Sequence, residues 1–91
     1  MNFKITVTVS GKKYAMDVER KYLMSDMERW EVRAKNHTFL LDCNRPLLAK
    51  KNIEHLPWEW HLVAGECPQW FLSEIQQAIR KTLNWMDTIN E

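Results

Sequence analysis

In several separate stretches between residues 3 and 63 the apolar side chains of this chain recur at every second position, and after residue 68 they recur at every third or fourth. A period of two belongs to a pleated strand and a period near 3.6 to a helix, so the chain is confined to a sheet followed by a helix. Phe3, Ile5, Val7 and Val9 alternate with Lys4, Thr6 and Thr8. Ser10 and Gly11 supply a turn, and Tyr14, Met16 and Val18 resume the alternation, which makes a hairpin. Trp30, Val32 and Ala34 lead through Asn36 and His37 to Phe39, Leu41 and Cys43, a second hairpin. Pro46 stops that strand.

After Pro57, which suits the first position of a strand, Trp58, Trp60 and Leu62 alternate with Glu59, His61 and Val63. Residues 22 to 28 and 46 to 56 are read as connections. From Pro68 the apolar positions Phe71, Leu72, Ile75, Ala78, Ile79, Leu83 and Met86 define a helix over residues 68 to 88, with a fraying tail near Asn90. Ser73 to Gln76 has the form of a capping box and offers a later start. The predicted fold is α+β: an antiparallel sheet of four or five strands packed on one C-terminal amphipathic helix, βββββα, in a single domain of residues 1 to 91. That outline alone licenses no function.

Charge narrows the classes. Thirteen Lys and Arg stand against twelve Asp and Glu, and a net charge of +1 supplies no field to concentrate a polyanion, so nucleic-acid binding is disfavoured. No run approaches the roughly 20 apolar residues of a membrane span. The alternating N-terminal segment is unlike a signal peptide, which leads to the expectation of a cytoplasmic protein with Cys43 and Cys67 as reduced thiols.

No catalytic set emerges. Glu28, Glu31, Glu54, Glu59 and Glu66 are assigned to the solvated faces, with no partner to tune them. Cys43, His55, His61 and Cys67 are metal-capable types, but 11, 5 and 5 residues intervene between them, whereas structural zinc sites pair ligands two to four apart. No metal and no cofactor is assigned. Cys67 precedes Pro68 at the helix start, where the helix dipole lowers a thiol pKa, and His61 is its possible base.

Five tryptophans in 91 residues are the unusual count. Trp30, Trp58 and Trp60 share the apolar phase of their strands and are assigned to the core. On a helical wheel Trp70 and Trp85 fall away from Ile75 and Ile79, so they are the candidate partner contacts. The expected function is a non-enzymatic protein-interaction module that binds a protein partner or self-associates as a homodimer. The alternatives are a thiol-dependent enzyme or redox sensor centred on Cys67, and a nucleic-acid-binding domain.

Overall fold

The first turn sets the register of the sheet. Ser10 and Gly11 both have positive φ, 51° and 80°, the pattern of a type I′ turn whose twist matches the strands it joins. It links β1 (Asn2–Val9) to β2 (Lys12–Leu23), with Val9 opposite Lys12 and Asn2 opposite Glu19. β3 (Glu28–Arg33), β4 (Thr38–Cys43) and β5 (Trp60–Ala64) follow, and every neighbouring pair is antiparallel in the order β1-β2-β3-β4-β5. A short helix, α1 (Arg45–Lys50), lies between β4 and β5, and α2 (Gln69–Ile89) closes the fold. The computed structural model describes the backbone of residues 1 to 89 and the side chains of residues 1 to 86. The α+β, βββββα expectation holds. The tail expected near Asn90 lies outside the described residues.

Three local expectations change. Tyr22 and Leu23 are not connection but the end of β2, reached through a register shift between Arg20 and Tyr22. A bulge interrupts the period-two pattern there while the strand continues. The connection after Pro46 contains α1, which takes Pro46 in its first turn and closes with Asn52 at φ 58°. Asn52 N–H donates to Ala49 O and Ile53 N–H to Leu48 O, the bond pair of a Schellman end. The fifth strand begins at Trp60 rather than after Pro57. Just before it, Glu59 N–H donates to Asn44 Oδ1 and Asn44 N–H donates to the Glu59 carbonyl, which ties the approach to β5 to the start of α1. Pro68 stands immediately before α2, where its carbonyl accepts from Phe71 and Leu72 N–H, and Ser73 to Gln76 lies within the helix.

One face of the sheet is dry. Ile5, Val7, Met16, Val18, Trp30, Val32, Phe39 and Leu41 are buried against Leu72, Ile75, Ile79 and Leu83, with α2 packed chiefly on β1. Ile5 and Val7 are 4% and 3% exposed, as their alternation requires. Phe3 meets Trp30 edge to face at 5.6 Å. The other face is charged. Arg29 clamps Asp42 at 2.7 and 3.1 Å, and Arg33 reaches Glu31 at 2.6 Å and Glu19 at 3.1 Å. Hydrogen bonds from Lys21 and then Arg33 hold the Glu19 carboxyl below its ordinary range. The exposed Arg33 pairs are each worth at most about 1 kcal/mol, so they serve register more than stability. Among the described residues no helix is long and apolar enough to cross a membrane.

Candidate functional site

The helix that seals the core has a second, wet face. Trp70, Glu74, Gln77, Lys81 and Trp85 are all exposed and follow one another at steps of four, three, four and four, which keeps them on one side of α2. Trp70 is 58% exposed and Trp85 63%. Fifteen residues separate them, which is about 22 Å along the axis and about 60° around it, so one copy does not bring the two indoles together. Among the described residues neither Glu74 nor Lys81 takes part in an ion pair.

Trp70 is held from below by other rings. It meets Phe71 edge to face at 5.5 Å, Phe71 meets Tyr14 at 5.6 Å, and Lys12 Nζ lies 5.6 Å from the Tyr14 ring centre. Phe71 covers one side of the indole, and most of the ring is left to solvent. A large apolar surface left to solvent in this way favours association.

The thiol expectation fares differently. Burial raises the Cys67 thiol above its ordinary pKa, opposite to the lowering expected of a helix start, and its Sγ contacts the carbonyl of Pro68 at 3.5 Å. Cys67 packs against the core, whereas His61 alternates with Trp60 and Leu62 and faces the charged side of the sheet opposite Asp42. The strand itself therefore separates thiol and imidazole. Cys43 is buried and its thiol is pushed up to about 12 by desolvation. Among the described residues no three His, Cys, Asp or Glu side chains converge as metal ligands.

Compared with protein-family models, curated proteins and solved structures, the chain matches none.

One polar cluster escaped the sequence reading. Glu28 is 0% exposed, on the core phase of β3 with Trp30 and Val32 rather than on the solvated face. It is tolerated there because Arg45 donates to it from Nε at 2.6 Å and Nη2 at 2.9 Å, with Arg20 Nη1 at 3.8 Å. A buried carboxylate needs such a fork. The signal was present: Glu28, Trp30 and Val32 share one phase, so a carboxylate there required a cation, although its identity is not encoded locally. Arg45 and Arg80 also lie 5.8 and 5.1 Å from the Trp58 ring centre. Trp58 is half-buried and stands before β5; it packs against the core beside Trp60, with ring centres 6.2 Å apart, and also meets arginines from α1 and α2. The cleft beside it, about 320 Å³, is lined by both arginines and by Glu54. With its carboxylate already fully engaged, the cluster is a clasp for α1.

Proposed function

We propose that the protein is a non-enzymatic interaction module that pairs with a second copy of itself through the outer face of α2. The self-complementarity of that face supports the reading. For two antiparallel α2 helices related by a two-fold axis passing midway between Gln77 and Ala78, Trp70 lies level with the partner's Trp85. Glu74 lies level with the partner's Lys81 in the same register. A two-fold contact repeats each pairing, so both indoles and both charges of each copy are matched.

The expected affinity is modest. At about 250 Å² per tryptophan, exposures of 58% and 63% place roughly 600 Å² of indole surface from two copies in the contact. A standard stable interface buries about 1,600 Å² in total, so a concentration-dependent dimer in the micromolar range is expected. Sedimentation equilibrium tests this directly. The wild type should dimerise and the Trp70→Ala, Trp85→Ala double variant should not. Glu74→Lys or Lys81→Glu alone sets like charges against each other twice and should weaken pairing roughly tenfold. The double exchange Glu74→Lys, Lys81→Glu should restore it. A wild type that stays monomeric at all concentrations, or a double exchange no better than the single changes, would overturn the reading.

A further inference from the structure

β2 is longer than the strand beside it. Its pairing with β3 begins only at Asp17 opposite Arg33, so Lys12 to Met16 project beyond β3 with β1 on one side alone. In a two-residue hairpin the closing residues bond to each other, and the bonds then fall at every second position. Even positions of β2 from Lys12 onward therefore face β1, as the bond from Arg20 N–H to Met1 O bears out. Odd positions face the other way. Asp17 and Glu19 meet β3, but the N–H and C=O of Lys13 and Ala15 have no strand opposite, and no backbone bond joins them to the 34 to 37 turn.

The overhang and that turn enclose a notch of about 590 Å³ lined by Lys12, Lys13, Tyr14, Lys35 and His37 among others, with no carboxylate. The charge pattern is selective. Elsewhere on the sheet Lys4, Arg20, Lys21, Arg29 and Arg33 all have carboxylate partners, whereas among the described residues Lys12, Lys13 and Lys35 have none.

We propose that this notch binds an acidic, extended segment of a partner protein, which adds as a short strand to the free edge of β2. The inference rests on the reading of the chain as a protein-interaction module, but on a surface other than the outer face of α2. An incoming strand offers both donors and acceptors to Lys13 and Ala15. A DNA backbone has no donor for the two carbonyls and an RNA backbone has only its 2′-hydroxyls, whereas a strand supplies an N–H at the matching spacing, which favours a peptide. The overhang of five residues spans about 17 Å, enough for a segment of five or six residues. Alternate side chains of that segment fall on opposite faces: acidic ones answer Lys13 and Lys35, and apolar ones rest beside Tyr14.

The test uses the intact protein and a fluorescein-labelled hexapeptide alternating glutamate and valine, followed by fluorescence anisotropy. It should bind, and an alternating lysine and valine peptide should not. Changing Lys12, Lys13 and Lys35 together to Ala should weaken binding roughly tenfold. N-methylation of one alternate set of peptide amides should abolish binding while methylation of the other set is tolerated, since only one set faces β2; this control leaves the protein unchanged. The Trp70→Ala, Trp85→Ala variant should bind the peptide as the wild type does. Equal tolerance of both methylation patterns, no effect of the lysine changes, or equally tight binding of a labelled hexanucleotide would overturn the proposal. Absence of peptide binding while the wild type still dimerises would overturn the notch site alone and leave the α2 reading intact.

Discussion

Replacing Arg45 by Met should be among the most destabilising single changes outside the apolar core. The substitution keeps an unbranched stem but removes both short bonds to Glu28, at 2.6 and 2.9 Å. What remains is a carboxylate with no exposure and one guanidinium at 3.8 Å. Stranding a buried charge in this way costs about 3 to 5 kcal/mol. A domain of this size has on the order of 5 to 14 kcal/mol in all, so about a fifth or more of its stability is at stake. Urea unfolding followed by circular dichroism would show the midpoint fall, and the melting temperature should drop by about 12 °C or more. The informative comparison is Glu28→Met with Arg45→Met. With both charges gone nothing is stranded, so the double variant should be more stable than Arg45→Met alone by about 2 kcal/mol. Additive losses, or a cost below about 1 kcal/mol for Arg45→Met, would refute the view of the pair as a mutually dependent clasp.

Other positions carry sharp expectations. Gly65 has φ 96°, and a Cβ there would meet Thr38 O at 2.7 Å and Phe39 Cδ1 at 2.9 Å; Gly65→Ala should cost about 2 kcal/mol or more in the same urea assay. Ser10 holds φ 51° in a turn that favours Asn before Gly, so Ser10→Asn should raise stability by about 0.5 kcal/mol, and a loss would argue against a type I′ turn. The Cys43 thiol, pushed up to about 12 from the ordinary value of 9.0, keeps its proton in the folded state while the unfolded chain loses it. Stability should therefore be intact below pH 9 and fall between pH 9 and 12, by at most about 1.4 kcal/mol per pH unit. Comparing Cys43→Ala with the wild type across that range would isolate the effect, and a wild-type slope no steeper than the variant's would exclude it.

Periodicity reveals what each residue does relative to its immediate neighbours, and that much of this protein was legible. The alternation of Phe3, Ile5, Val7 and Val9 imposes a strand with one dry face, and the three-and-four spacing from Leu72 to Leu83 imposes a helix whose opposite side must carry Trp70 and Trp85. Both indoles are exposed, as the wheel requires. The tertiary structure alone decided the rest, because those features depend on segments that meet only after the chain folds. Glu28 lies inside because Arg45, 17 residues on, is delivered to it by the turn into α1. Trp58, which stands before its strand, packs against the core and also takes arginines from two different helices onto its ring. The notch exists because β2 outruns β3, and a mismatch between neighbouring strands is written in neither one; it arises from their register, which the turns and the shared core set together.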